Sequence, residues 1–280
     1  MTQFRPRNFQ VLPLVIKNLV IINVLIFLLE EVLRSRGLKE GLNELFALHH
    51  FQSPFFKPHQ LITHMFMHHD WGHLFFNMFA LWMFGSVLEN YWGPKRFLAF
   101  YILCGLGAAL FHEGVLAYQF NSLINDAEAF RLNPTAANFV DFYNNHIRGE
   151  IFDYNGVARS IADNWIADPS KSYIYLESAL EQIQDQIMVM NYSATVGASG
   201  AVFGCLAAFA YLFPNSYIYL YFLFPMKVKW FVLIYAAIEL IAAFQNDAGD
   251  NVAHWAHLGG ALVGFLIVIY WNKTQRRTFY

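Results

Sequence analysis

The chain has 280 residues, of which 57% are hydrophobic and 14% are charged. A soluble domain usually carries about 25% charged residues, so this composition excludes an ordinary soluble enzyme and indicates an integral membrane protein. The formal net charge of −2 gives no basis for nucleic-acid binding. The two cysteines lie in apolar stretches, which favours buried thiols over a disulfide.

Six apolar segments are predicted to cross a membrane, because each approaches the roughly 17–25 residues that a span requires. In chain order they are 11–33, 72–88, 97–118, 198–213, 228–244 and 251–271. The second stops before the helix breaker Gly93-Pro94, and the fourth is short for a full crossing. The predicted fold class is an all-α integral membrane protein with a bundle of six transmembrane helices.

The arrangement across the membrane is predicted from basic residues, which concentrate in short cytoplasmic loops. Both termini are then cytoplasmic, and helices 2, 4 and 6 all run inward from the outer face. The predicted regions are a cytoplasmic N-terminus (1–10), membrane helices 1–3 (11–118) with an outer loop (34–71), a long external insertion between helices 3 and 4 (119–192), membrane helices 4–6 (193–272) and a cytoplasmic tail (273–280).

The external insertion is predicted to have two parts. Its first half contains turn-forming pairs such as Asn133-Pro134 and predicts a looser loop. Apolar residues in its second half recur with helical spacing, which predicts an amphipathic helix leading into helix 4. These residues are Leu176, Leu180, Ile183, Ile187 and Met190. A solvated segment without catalytic importance and a lid beside an active site both fit this pattern.

Two runs of small residues each hold one reactive side chain near the head of an apolar segment. Ser199 lies in the run 197–204, and His257 lies in the run 256–264. Because helices 4 and 6 both start at the outer face, a rise of ~1.5 Å per residue places both side chains within roughly 10 Å of that face. A serine and a histidine at one depth predict nucleophilic chemistry inside the bilayer.

The glycines of these two runs predict how helices 4 and 6 meet. Gly200 and Gly204 form one G-x-x-x-G face, and Gly260 and Gly264 form another. Lipid provides no hydrophobic force between helices, so small residues that allow close backbone contact often form the interface. If these two faces pack together, the serine and the histidine can hydrogen-bond directly.

Helix 2 adds a third motif at the same depth. His73 and Asn77 are spaced i, i+4 and therefore share one helix face. The three motifs G-x-S-G, A-H-x-x-G-x-x-x-G and H-x-x-x-N, on these helices, together resemble the rhomboid family of intramembrane serine proteases. The likeness covers roughly residues 10–118 and 191–272.

The resemblance implies a rhomboid-like six-helix bundle and a Ser-His dyad without a carboxylate. Ser199 is then the nucleophile, and His257 is the general base and later the general acid. The family also uses His73 and Asn77, with the Ser199 backbone N–H, to form an oxyanion hole. The supporting residues implied in the same way are Gly197, Gly200, Phe203, Gly260 and Gly264.

The resemblance further implies the reaction, which is hydrolysis of a peptide bond in or near the transmembrane segment of another membrane protein. The implied partners are transmembrane protein substrates and membrane lipid, and no metal, nucleotide or other cofactor is implied. No transit peptide is recognisable in the sequence. Together with the resemblance, this favours a bacterial cytoplasmic membrane as the location.

Three features depart from the family pattern. Phe203 stands where a tyrosine is common, four residues after the serine, so the ring is kept and the hydroxyl is lost. The pair His59-Gln60 stands where a Trp-Arg pair is usual, which removes the arginine contact that anchors the outer loop. The third departure is the external insertion, because a short loop is usual between helices 3 and 4.

The choice of His257 over His254 as the base depends on spacing. Glycines follow His257 at +3 and +7, as the motif requires, whereas His254 lies one turn nearer the surface and is expected to face water or a loop. Glu239 in helix 5 is costly if it faces lipid, so it is expected to face the bundle or to pair with a donor. It is not assigned to catalysis, because it lies nearer the middle of its span.

Two other functions stay open at this point. The spacing His64-x-x-x-His68-His69 matches one histidine box of a membrane di-iron oxidase, and His254-x-x-His257 is a possible second pair, although a third box is missing. The second alternative is a catalytically inactive rhomboid-like protein that binds membrane clients. Such proteins have typically lost the serine or the histidine, and this chain keeps both.

Overall fold

The structure, a computed structural model, describes residues 9–147, 156–220, 224–245 and 252–275, and these ranges are mainly helical. Parts of both predicted cytoplasmic tails, 1–8 and 276–280, lie outside the described residues, as does the first residue of the predicted sixth span. The helices are α1 (Leu14–Arg34), α2 (Lys39–Phe46), α3 (Gln60–Thr63), α4 (Trp71–Ala80), α5 (Ser86–Trp92), α6 (Pro94–Leu132), α7 (Ala136–Phe142), α8 (Val157–Ala167), α9 (Ser172–Tyr192), α10 (Ser199–Leu212), α11 (Val228–Gln245) and α12 (His254–Gln275).

Two short antiparallel ladders connect these helices. The strands are β1 (Leu48–His49), β2 (Ala194–Thr195), β3 (Tyr217–Leu220) and β4 (Phe224–Lys227). Strand β1 pairs with β2 in the register Leu48–Thr195, which ties the loop after α1 to the segment before α10. Strands β3 and β4 form a hairpin between α10 and α11.

Four helical segments in the described ranges are long and apolar enough to cross a membrane. They are Trp71–Trp92, which joins α4 and α5 through a π-helical turn, Pro94–Leu132, Val228–Gln245 and His254–Thr274. They correspond to predicted spans two, three, five and six. Helix α1 has 21 residues but contains Lys17, Glu30, Glu31 and Arg34, and the apolar α10 has 14 residues.

The turn between α5 and α6 follows from the residues that form it. Gly93 has a φ of +81°, a left-handed conformation that favours glycine. Pro94 is the first residue of α6, where its missing N–H costs no helical hydrogen bond. The chain therefore reverses within one residue, as the predicted helix breaker required.

Helix α10 lies at the centre of the bundle and packs closely on α12. All of its residues from Gly200 to Ala208 are buried. A Cβ atom added at Gly260 would lie 1.9 Å from the Gly200 carbonyl oxygen, and one added at Gly264 would lie 2.6 Å from the backbone of Gly204. The backbones of α10 and α12 are therefore in direct contact through their glycines.

Helix α6 covers another side of α10 in a similar way. A Cβ atom at Gly200 would lie 2.5 Å from Ala108 Cβ, and one at Gly204 would lie 2.5 Å from Cys104 Sγ. Small residues thus allow α6, α10 and α12 to form a compact three-helix centre, and α1, α4 and α11 pack beside it.

The segment after residue 118 differs from the expected loose loop. Helix α6 continues to Leu132 and has 39 residues, a length of about 58 Å at the usual rise. It is followed by α7, α8 and α9, which share a second hydrophobic core with the end of α6. This core includes Phe120, Leu123, Phe130, Phe139, Phe142, Trp165, Ala179 and Ile183. Helix α9 covers the expected amphipathic stretch, although Leu180 is exposed.

Candidate functional site

A cavity of about 730 Å³ lies between α4, α10, α11 and α12. Its polar lining includes His73, Asn77, Ser199, Glu239, His254 and His257. Its apolar wall comes mainly from the α4–α5 segment and α11, and includes Phe76, Phe79, Met83, Phe84, Phe231 and Tyr235. The structure therefore brings the four side chains predicted for catalysis to the wall of one cavity.

Ser199 is the first residue of α10, where backbone N–H groups have no partner within the helix. The residue two before it, Gly197, has a φ of +128°, which only glycine adopts readily. A Cβ atom at Gly197 would lie 2.8 Å from the ring of His73 and 3.6 Å from Ser199 Oγ. Gly197 therefore provides the turn that starts α10 and the space that lets His73 approach the serine.

His73 and Asn77 are positioned by the start of α4. The side chain of Asp70 accepts a hydrogen bond from the His73 backbone N–H at 2.9 Å, which caps the helix. His73 then lies in the first turn, and the ring of His69 stacks on it with centroids 5.6 Å apart. Asn77, one turn further along, is buried. Both side chains face the cavity beside the head of α10.

His257 is the fourth residue of α12 and is buried. Its ring stacks on Phe203 with centroids 4.2 Å apart and an angle of 9° between the planes. Because Phe203 lies one turn after Ser199 on α10, the helix that carries the serine also sets the plane of the imidazole. The ring of Tyr235 on α11 also packs against Phe203, with ring centroids 5.0 Å apart.

A carboxylate on α11 completes the polar cluster, and sequence reasoning did not assign it to the site. Glu239 is buried, and its Oε2 lies 2.9 Å from Nδ1 of His257. Glu239 therefore faces the bundle and pairs with donors, as expected. The argument that it lies too deep to reach the site is wrong, because its carboxylate contacts His257, where the resemblance implied no carboxylate. The signal was a carboxylate within an apolar span, which must find a polar partner.

His254 also bonds to this carboxylate, which corrects the expectation that it faces water or a loop. Its Nδ1 lies 2.6 Å from Glu239 Oε2, and its side chain is mostly buried. The ligand atoms of Glu239, His254 and His257 lie close enough together to hold a metal ion. The two nitrogen–oxygen separations are those of direct hydrogen bonds, however, and are shorter than the roughly 3.3 Å expected between two ligands of one tetrahedral zinc ion.

The histidines before α4 include two that are buried within the fold, His64 and His68. His64 is buried, its Nδ1 lies 2.7 Å from the Gln60 carbonyl oxygen, and its own carbonyl accepts the Gly197 N–H at 2.8 Å. Burial lowers the pKa of His64 to about 4 and that of His68 to about 3, so both rings are neutral at neutral pH. Within the described ranges, these histidines and His69 do not form a three-residue cluster with metal-binding spacing.

Gln60 anchors the outer loop in the place where the family has an arginine. Its side chain is fully buried and donates through Nε2 to the carbonyl oxygens of Glu44 and Phe55, both at 3.0 Å. Its Oε1 accepts from the Lys57 N–H at 3.0 Å. Its Oε1 also accepts from the His49 N–H at 3.4 Å. Four hydrogen bonds to backbone groups thus hold this loop without a guanidinium.

The helices and the cavity define a multi-pass membrane protein with a polar site enclosed between its spans. The family model of the rhomboid domain matches residues 56–122 and 163–273, which is more than half of the chain. The chain therefore belongs to the rhomboid family. The match omits residues 123–162, which include the end of α6, all of α7 and part of α8.

Three relatives are similar over most of this chain. RHOMBOID-like protein 12, mitochondrial, of Arabidopsis thaliana is 24% identical over 265 residues, covering 95% of this chain and 60% of the relative. An uncharacterized mitochondrial rhomboid protein of Schizosaccharomyces pombe is 27% identical, covering 84% and 57%. Rhomboid protein 1, mitochondrial, of Saccharomyces cerevisiae is 26% identical, covering 78% and 43%. The chain thus spans about half the length of these curated relatives.

The expected bacterial cytoplasmic location is wrong in the light of these relatives. All three carry mitochondrial names, and all three come from eukaryotes. The expectation depended on the family resemblance and on the absence of a recognisable transit peptide. Targeting segments lie outside the folded domain and leave no trace in its helices, so the membrane segments alone do not specify a compartment.

Proposed function

We propose that the protein is an intramembrane serine endopeptidase that hydrolyses a peptide bond in or near the transmembrane segment of membrane-protein substrates. The observation that carries this proposal is the meeting of two helix starts at one cavity. Ser199 begins α10, and His257 lies in the first turn of α12. The close glycine contacts between α10 and α12 hold these two turns together.

The proposed reaction uses groups that line this cavity. His257 takes the proton of Ser199 Oγ as that oxygen attacks the scissile carbonyl carbon, and it then gives the proton to the departing amine. The negative charge of the tetrahedral intermediate faces the Ser199 N–H and the side chains of His73 and Asn77. The positive end of the α10 dipole lies at the same point and favours that charge. Water then releases the acyl group by the same steps in reverse.

The shape and lining of the cavity support a membrane-protein substrate. Much of the lining is apolar and aromatic and comes from the α4–α5 segment and α11, both of which are apolar enough to cross a membrane. The polar groups lie in the same cavity, on α4, α11 and the first turns of α10 and α12. A transmembrane segment can place apolar side chains against the apolar lining while its locally unwound backbone meets Ser199. Transmembrane proteins and surrounding lipid are the partners in this proposal, without nucleic acid.

We place the protein in a mitochondrial membrane, as the names of the three relatives support. In this proposal α1 and α10 are the first and fourth of six spans, and residues 119–192 form an insertion outside the membrane. The short α10 suits this role because its first residue is at the cavity rather than at the membrane surface. The full biological activity and natural substrates remain part of the proposal, because the chain matches about half of each relative.

Purified protein in detergent and a generic transmembrane substrate test this function. Wild type and Ser193→Ala, a matched serine variant outside the cavity lining, are expected to cleave the substrate at one rate. Ser199→Ala and His257→Ala are expected to show no cleavage. Cleavage by Ser199→Ala would contradict the proposal. A wild-type protein that binds the substrate without cutting it would instead support the inactive client-binding alternative.

A further inference from the structure

We propose that Glu239 is a positioning residue for His257, so that the site works as a Ser199–His257–Glu239 triad rather than as a dyad. This inference rests on the proposed function. Most of the surface of α11 is exposed, including the side chains of Leu233, Ile234, Ile238 and Ile241. Glu239 is nevertheless 4% exposed.

Burial of a carboxylate within a membrane helix is costly unless the charge has hydrogen-bonding partners. The described residues of α11 include two buried side chains, Val228 at its start and Glu239. The buried acid thus lies on the face of α11 that meets the cavity, and its partners there are two imidazoles. An apolar residue would fill this position without the cost of burying a charge, so packing alone does not explain the carboxylate. Its hydrogen bond to His257 does.

Glu239 supplies the orientation that stacking cannot provide. The parallel contact with Phe203 sets the plane of the His257 ring, but a ring turned over by 180° would stack equally well. The hydrogen bond from Nδ1–H to Glu239 Oε2, at 2.9 Å, distinguishes these two orientations. It also fixes the tautomer, since a protonated Nδ1 leaves Nε2 as the nitrogen that can accept the Ser199 proton.

His254 bonds to the same oxygen, Oε2 of Glu239, but has a different role. Its Nδ1 lies 2.6 Å from Glu239 Oε2, so the first residue of α12 holds the carboxylate. Other titratable groups near His257 are Tyr235 on α11, His73 on α4 and His112 on α6. Glu239, rather than any of these groups, is the acceptor that bonds to a ring nitrogen of His257.

The test compares four variants with wild type in detergent. They are Glu239→Gln, Glu239→Asp, His254→Ala and the matched control Glu113→Gln. Glu113 is a fully buried glutamate on α6 that accepts the Phe51 N–H at 2.8 Å and lies outside the cavity lining. The measurements are kcat and KM on a transmembrane substrate, the rate of fluorophosphonate labelling, and thermal unfolding.

Glu239→Gln is expected to lower kcat and the labelling rate together by about 10- to 100-fold, because a charge-assisted hydrogen bond is lost, while KM stays near the wild-type value. Glu239→Asp keeps the charge and is expected to recover part of kcat. His254→Ala is expected to keep most of its activity, and Glu113→Gln is expected to match wild type. This pattern separates orientation of His257 from a structural role of the cluster.

Three outcomes would overturn the inference. The first is wild-type kcat and labelling in Glu239→Gln. The second is an equal loss of kcat in Glu239→Gln and His254→Ala, which would make the cluster structural. The third is failure of Glu239→Asp to recover activity while it unfolds at the wild-type temperature. Failure of the proposed function would look different, since wild type would then cleave nothing or Ser199→Ala would cleave normally.

Discussion

Replacement of Gly260 by alanine tests how the packing of α10 on α12 controls the site. The added methyl group would lie 1.9 Å from the Gly200 carbonyl oxygen, and Cβ atoms essentially never approach a neighbour closer than 3.0 Å. The obstacle is backbone, so no side-chain rotation relieves it, and the two helices must separate locally by about 1 Å. Ser199 and His257 lie directly beside this contact and therefore move apart.

The expected effect is large for activity and moderate for stability. A misplacement of about 1 Å at reacting groups can cost about 100-fold in rate, and overpacking of a close contact costs about 1–3 kcal/mol. The assay measures kcat/KM on a transmembrane substrate together with thermal unfolding in detergent. Gly114→Ala on α6 is the matched control, because its Cβ atom would meet open space. Wild-type turnover in Gly260→Ala would refute the claim that this contact sets the serine–histidine spacing.

Three further predictions follow from single side chains. Asn77→Ala is expected to lower kcat by about 10²- to 10³-fold with little change in KM, as for loss of an oxyanion donor; an unchanged kcat would remove Asn77 from the oxyanion hole. Phe203→Ala is expected to lower kcat because the His257 ring loses its stacking partner, whereas Phe203→Tyr keeps the ring and the activity; equal rates in both variants would contradict this role. Burial lowers the pKa of His64 from its ordinary 6.5 to about 4, so the unfolded chain takes up the proton first as pH falls. The free energy of unfolding is then expected to decrease by up to about 3 kcal/mol between pH 6.5 and pH 4, and His64→Gln is expected to flatten the dependence of Tm on pH. Parallel pH profiles for wild type and this variant would contradict the assignment.

Much of the helical architecture could be predicted because membrane helices leave strong local signals. Gly93-Pro94 marks a helix boundary by backbone conformation alone. The i, i+4 glycines of α10 and α12 are positions where a side chain would collide with the facing backbone. Such positions are visible in a sequence, because the small-residue spacing is itself the packing interface.

The parts that could not be predicted depend on contacts between distant residues. Counting residues along a span placed Glu239 too deep for the site, but a glutamate side chain is long enough to reach His254 and His257 from a neighbouring helix. The continuation of α6 to Leu132 was also missed, because the polar residues after residue 118 suggest a loop when they are considered without their packing partners.

The buried glutamates that contact the two ends of α1 could not be predicted for the same reason. Glu30 is buried and accepts the His68 N–H at 3.2 Å. At the other end of α1, the buried Glu89 of α5 accepts the N–H groups of Val15 and Ile16, both at 2.9 Å, and so caps the helix from outside. These pairings connect residues 38 or more positions apart, and no local pattern reveals them.

The position of a covalent fluorophosphonate adduct tests the central claim most directly. The purified protein is treated with the probe, digested and analysed by mass spectrometry, with His257→Ala treated in parallel. One adduct, on Ser199, is expected in the wild-type protein, with strongly reduced labelling in His257→Ala. An adduct on another residue, or labelling of Ser199 at the same rate without His257, would contradict the account.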